Sequence, residues 1–336
     1  MLAFAFALAL AASNVPAAAP HAYHVISTVP LGGDGGWDYL TIDEVAHRLY
    51  ISRSTHVMVV DSDSLKPIGD LPNTPGVHGV ALVRELGRGF TSNGRDTSVT
   101  VFDLATLKPI QRVVVGERPD AIVYDPASRC VFTLNASGSA TAVDAATGTV
   151  RGTVPFGTKP EAAVCDGHGR MFVNLEDSSA VAVVDTKTMK EVARWPLAPG
   201  EGPAGLAFDV AHGRLFSGCS NKTMVVLDAT NGKVVATLPI GSRSDGVGFD
   251  PALGLACSTN GEGTLTVVHE KSPGAFEVLA DVPTAMGART VAVDPITHRV
   301  YTVTAEFGPA PAPTAEQPHP RPTMVPGSFK LVVLGQ

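Results

Sequence analysis

Four acidic residues, Asp38, Asp120, Glu161 and Asp245, and one basic residue, Arg289, share a position: each stands five residues before a recurrent turn. At the same offset two further units carry Gly79, with His78 beside it, and Ala204. Carboxylates gathered in one place repel one another unless water, a cation or a basic group intervenes. Such a cluster suits capture of a cation or basic ligand, proton transfer by a carboxyl group or His78, or polarisation of a substrate by a bound metal. Arg118, Lys159 and Arg243 occur in the same loops and offer internal neutralisation. A second polar set lies farther along each unit: Arg53, Asn93 and Arg95 in SNGR, Asn135 in LNAS, Asn174 and Glu176 in NLED, Asn260 and Glu262 in NGEG, and Glu306 in AEF. Asn-Gly pairs are ordinary turn residues, but turn geometry does not call for glutamate. Asp38, His78, Glu262 and Glu306 together make the oxygen-rich kind of set that calcium or magnesium takes.

These residues meet only if the chain repeats, and it does. The segments TIDEVAHRLYIS, VYDPASRCVFTL, VCDGHGRMFVNL, AFDVAHGRLFSG, GFDPALGLACST and AVDPITHRVYTV align on Asp43, Asp125, Asp166, Asp209, Asp250 and Asp294. A seventh, LVRELGRGFTSN, fits between the first two with Arg84 in the Asp place, so the steps are 41, 41, 41, 43, 41 and 44 residues. A second marker follows in the first six units, at Asp61, Asp103, Asp144, Asp185, Asp228 and His269. An Asp side chain accepts hydrogen bonds from amides two residues on and so fixes a tight turn; these Asp residues are expected to be structural. Val, Ile, Thr and Phe alternate between the turns and no segment has a helical period, so each unit reads as four short strands. Four strands per roughly 40 residues is the mark of a propeller blade. Seven blades are expected. The last unit runs out at FKLVVLGQ (329–336), a third strand, and YHVISTVPLG (23–32) supplies the missing fourth. Closure by the N-terminal strand removes the exposed sheet edges that would template aggregation.

The units VMVVDSDSLK, VTVFDLATLK and VAVVDTKTMK, with GVHGVAL, GRGFTSNGR, STNGEGTLTVVHE and TAEFGPAP, resemble the YncE-like, YVTN-type family of exported bacterial seven-bladed propellers. The resemblance covers nearly all of the chain after residue 22. It implies the fold and an envelope location, and it implies little about activity, because propellers host many unrelated functions.

Strand connections place the two polar sets on one face of the disc and the Asp turns on the other. The last blade interrupts that polar face with EFGPAPAPTAEQPHPRPTMVPGSF (306–329), which holds seven prolines. This insertion (307–327) excludes a helix or an inner strand and reads as a semi-rigid polyproline-like flap presenting Glu316, His319 and Arg321. His212, His269 and His298 fall on the Asp-turn face and read as surface residues.

Totals limit the remaining choices. The net charge is −7, and no cluster of Lys and Arg appears, so neither nucleic acid nor an anionic membrane is expected as partner. Residues 2–12, LAFAFALALAA, are too short to span a bilayer, and with SNVPAAAP they read as a secretory signal over 1–19 ahead of a single domain at 22–336. No membrane span is expected after its removal, and the product is expected to be a periplasmic or secreted monomer. Cys130, Cys165, Cys219 and Cys257 lie in different units without CxxC and read as buried thiols. No nucleophile elbow, HExxH, phosphate loop or CxxCH is present. The sequence therefore points to a non-catalytic propeller that binds a small ligand, peptide or envelope partner, with a TonB-type receptor system among the candidates. A metal-assisted hydrolase, lactonase or lyase at the same mouth is the alternative, and a purely structural module the third reading.

Overall fold

The computed structural model describes residues 22–272, 274–312, 314 and 322–336. The predicted signal at 1–19 and the flap residues Glu316, His319 and Arg321 lie outside the described residues. The chain forms seven four-stranded antiparallel sheets arranged as a β-propeller. Blade 1 runs from Leu40–Asp43 to Pro67–Leu71, blade 2 from Val77–Val83 to Pro109–Val114 and blade 3 from Pro119–Asp125 to Val150–Pro155. Blade 4 runs from Pro160–Cys165 to Lys190–Pro196, blade 5 from Pro203–Asp209 to Val234–Pro239 and blade 6 from Ser244–Asp250 to Ala275–Pro283. Blade 7 takes Ala292–Asp294, Arg299–Thr304 and Lys330–Gly335, and His24–Pro30 completes it from the other end of the chain, His24 pairing with Gly335 and Pro30 with Lys330.

Seven apolar clusters alternate with the blades, one at each blade-to-blade interface. Tyr50 and Phe102 lie between blades 1 and 2, Phe90 and Val131 between 2 and 3, Phe132 and Met171 between 3 and 4. Phe172 and Leu215 follow between 4 and 5, Phe216 and Ala256 between 5 and 6, Cys257 and Val300 between 6 and 7, and Tyr301 and Leu49 between 7 and 1. The alternating residues of each strand feed two neighbouring clusters, so both faces of every sheet are covered. All four cysteines are free thiols, and only Cys165 is not fully buried.

The turn aspartates act as the repeat implies. Asp209 Oδ1 accepts from the amide of Ala211 at 3.0 Å, Asp250 from Ala252 at 3.0 Å and Asp294 from Ile296 at 2.9 Å. Blade 2 departs from the alignment. There Val83 pairs with Arg88 as Asp125 pairs with Cys130 in blade 3, and a single 3-10 turn, Arg84–Leu86, replaces the Asp turn. Arg84 reaches back to blade 1 instead, with Nε 3.0 Å from Asp43. This moves the register by one: His78, not Gly79, occupies in blade 2 the place of Asp120 in blade 3.

Arg53 was expected at the mouth and is instead fully buried. Its guanidinium donates to the carbonyl oxygens of Gly32, Gly33, Asp34 and Gly35 at 3.0 to 3.2 Å and lies 3.5 Å from the centre of the Phe329 ring. The loop that follows the N-terminal strand is thereby pinned to blades 1 and 7. Burial lowers the guanidinium to about 10.

Candidate binding site at the axial mouth

Strand register assembles one ring at the start of the innermost strands: Asp38, His78, Asp120, Glu161, Ala204, Asp245 and Arg289. His78 Nδ1 stands 2.6 Å from Asp38 Oδ2 and 3.5 Å from Asp120 Oδ1. Arg289 Nε pairs with Asp245 at 2.6 Å, and Lys159 Nζ lies 2.8 Å from Glu161 and also binds Glu176. The ring thus satisfies itself in part, yet its acids stay under strain. Burial, with the charge of Asp38 and Asp245 behind it, raises Asp120 to about 6. Burial and then the charge of Asp120 raise Glu161 to about 7 despite Lys159, and burial raises Asp245 despite Arg289. Burial works against a charged His78, but its hydrogen bond to Asp38 and the charges of Asp120, Asp38 and Glu161 outweigh it and raise its pKa.

The next residue of each strand forms a second ring below: Tyr39, Gly79, Ala121, Ala162, Gly205, Gly246 and Thr290. Six of these seven are Gly, Ala or Thr, which leaves room for one large side chain. Tyr39, from blade 1, packs against the cluster of blades 3 and 4 and lines an axial cavity of about 180 Å³, so its ring lies across the channel. Burial, then the charges of Asp120 and Glu161, hold its phenol well above the ordinary range, so it remains a neutral hydroxyl. Sequence reasoning missed Tyr39. The signal was there, in the small residues at the matching positions of the other blades.

Beside the axis a cavity of about 290 Å³ opens between blades 1, 2 and 3, lined by Trp37, Asp38, His78, Asp120, Arg95 and Arg118 among others. Neither guanidinium has a carboxylate partner among the described residues. The stem of the Pro-rich insertion reaches this same mouth. The amide of Gly308 donates to Thr323 at 2.9 Å and that of Val325 to Glu306 at 2.8 Å, and Phe307 meets Trp37 with ring centres 5.9 Å apart.

The second polar set does not reach the cavity as a set. Asn93, Asn135, Asn174 and Asn260 are completely buried in strands, not turns. Asn93 Nδ2 donates to Ser98 and Thr100, Asn135 to Ser139 and Thr141, and Asn260 to Thr264 and Thr266, all at 2.9 to 3.0 Å. Asn174 donates to the carbonyls of Ala204 and Gly205. These four residues tie strands together and cannot touch a ligand without unpairing buried amides. The expected metal set also separates. The donor atoms of Asp38, His78 and Asp120 lie within 4.8 Å of one another, and Glu262 and Glu306 are not in that group. Glu262 bonds Ser242, which holds its carboxyl below the ordinary range, and Glu306 faces Lys330 at 3.7 Å. With an imidazole as one of three donors, the group that does form fits calcium, an all-oxygen ion, poorly.

No protein-family model matches the chain, and a comparison with curated proteins finds none similar to it. Solved structures share the fold. A chain of hydrazine synthase from Kuenenia stuttgartiensis superposes with TM-score 0.71 at 15% identity, covering 82% of this chain and 92% of that one. A chain of the mitotic checkpoint complex superposes with TM-score 0.72 at 14% identity, covering 90% and 94%. At such identities the likeness concerns the propeller alone. No helix among the described residues is long and apolar enough to cross a membrane.

Proposed function

We propose that this chain is an exported, non-catalytic propeller that binds a small zwitterionic molecule at the mouth, in the cavity between blades 1, 2 and 3. The observation that carries the reading is the pairing of two unlike walls. On the axial side stand Asp38, Asp120 and Glu161, and burial first, then the charge of neighbouring acids, raises the carboxyls of Asp120 and Glu161 despite His78 and Lys159. An ammonium or guanidinium group placed there relieves that strain. On the outer side Arg95 and Arg118 lack carboxylate partners among the described residues and suit a carboxylate or phosphate, which arginine binds in bidentate fashion. Trp37 adds a flat apolar wall, and the insertion stem beside it is placed to cover a ligand. The resemblance to exported propellers supports a periplasmic or secreted location. A larger envelope partner, a TonB-type receptor included, would dock over the same face.

The test is a thermal-shift screen at neutral pH with matched small amines, carboxylates and zwitterions, followed by calorimetry on any compound that stabilises. Zwitterions are expected to give the largest shift, with at least tenfold weaker binding in both Asp120→Asn and Arg118→Ala. A preference for plain carboxylates, or binding unmoved by Asp120→Asn, overturns the assignment.

One observation favours a second reading. The His78–Asp38 hydrogen bond beside Asp120 supplies a base, its positioning acid and a carboxyl that titrates near neutrality. A hydrolase, lactonase or lyase acting here with a divalent cation would show magnesium- or manganese-dependent turnover of ester or lactone substrates that disappears in His78→Ala.

A further inference from the structure

The opposite face of the disc holds a second cluster unrelated to the mouth. Asp209 closes the first turn of blade 5, and His212 lies within that turn. Glu270 sits in the third strand of blade 6, at the blade 5–6 boundary. Donor atoms of all three lie within 4.8 Å of one another.

Comparison with the other blades shows what is unusual. The residue after the second marker is Ser62, Leu104, Ala145, Thr186 or Ala229 in blades 1 to 5, all uncharged. In blade 4 Thr186 uses its hydroxyl to donate to Asp125 Oδ2 of blade 3 at 2.6 Å, a neutral bridge across the interface. Blade 6 places Glu270 there, facing Asp209 of blade 5. A carboxylate cannot donate to a carboxylate. Glu270 is only 8% exposed, and no donor group reaches its side-chain oxygens; the neighbour they meet is the Asp209 carboxyl itself. Burial and the adjacent Asp209 push its carboxyl up to about 7. Asp209 Oδ1 is occupied by turn amides, whereas Oδ2 faces the exposed His212 imidazole at 2.5 Å. The nearby Arg214 pairs with Asp228 at 3.2 Å, and its charge, with that of His212, offsets burial and Asp209 at Glu270 only in part. A buried, donor-less carboxylate aimed at a second carboxylate and an imidazole is the arrangement a cation completes.

We infer that Asp209, His212 and Glu270 form a binding site for a first-row divalent transition metal at the blade 5–6 boundary. Two carboxylate oxygens and one imidazole nitrogen suit zinc or manganese; calcium and magnesium take all-oxygen shells. Because His212 is exposed while Glu270 is buried, the ion would sit at the surface with a coordination position open to water. Bridging two blades, it would act as a fastener between them, independent of whatever occupies the mouth.

The experiment is calorimetric titration of the full chain with zinc chloride in a His78→Ala background, which removes the imidazole of the mouth cluster. One zinc per chain is expected, with affinity lowered at least tenfold by His212→Ala and by Glu270→Thr. Glu270→Thr copies the Thr186–Asp125 bridge, so the metal-free variant should melt no lower than its parent, which separates lost ligation from lost folding. Zinc should raise the melting temperature of the parent and not of either variant. Absence of binding in the His78→Ala background, or binding that survives either substitution unchanged, overturns the site; the carboxyl pair then simply shares a proton.

Discussion

Replacing Glu161 by glutamine removes a charge the fold resists. From the ordinary 4.5 to about 7, its raised pKa is worth about 3 kcal/mol at roughly 1.4 kcal/mol per pH decade. The side chain is 14% exposed, so solvent screening removes little of this. For an acid whose folded pKa lies above the unfolded one, the native state binds more protons between the two values. Stability therefore falls as pH rises from about 4.5 to 7 and stays lower beyond. Glutamine has nothing to titrate and escapes that loss, although it gives up the 2.8 Å contact with Lys159, which keeps Glu176 as partner. Urea unfolding at pH 4 and pH 8 should show the two proteins nearly equal in acid and the variant more stable by about 2 to 3 kcal/mol in base, with unchanged m-values. A variant less stable at pH 8, or a difference that does not vary with pH, would refute the idea that the ring acids are held in a charge-averse place. The same substitution should weaken binding of any cationic ligand, so stability and binding move in opposite directions.

Two further outcomes follow from the same geometry. Arg53→Met deletes the donors to four carbonyl oxygens while sparing the fold the cost of burying a charge, so a net loss of about 2 to 4 kcal/mol in urea unfolding is expected; a change under about 1 kcal/mol would mean that the loop at 32–35 is not held by this side chain. Asp38→Asn should lower the His78 pKa, read from imidazole carbon-proton NMR shifts across pH 5 to 8; because a raised histidine pKa stabilises only below that pKa, the variant should lose more stability at pH 5 than at pH 9.

The repeat made the propeller legible because every blade needs the same turns, and Asp is the residue that builds them. Blade closure was legible for the same reason: a fourth strand without its blade at one end matched a blade without its fourth strand at the other. The differences each have a physical cause. Asn93, Asn135 and Asn260 stand where a turn residue is expected, yet each is the last residue of a strand whose amide satisfies two hydroxyls of the next; type alone does not separate these roles. Arg53 looked like a mouth residue because charge suggests solvent, and only the four carbonyls of a loop distant in sequence explain its burial. His78 entered the ring through a register change in blade 2 that an alignment on Asp could not see. Glu270 carries no sequence signal of its own, because its partner Asp209 belongs to another blade.

Tyr39 has a consequence for traffic. A propeller is commonly imagined as a perforated disc, but here a phenol from blade 1 reaches the cluster of blades 3 and 4 and narrows the bore. A ligand held at the acidic side is then favoured to leave by the way it came. If the proposed ligand comes and goes past the Phe307 stem, a change there should alter both rates together while leaving the equilibrium nearly untouched.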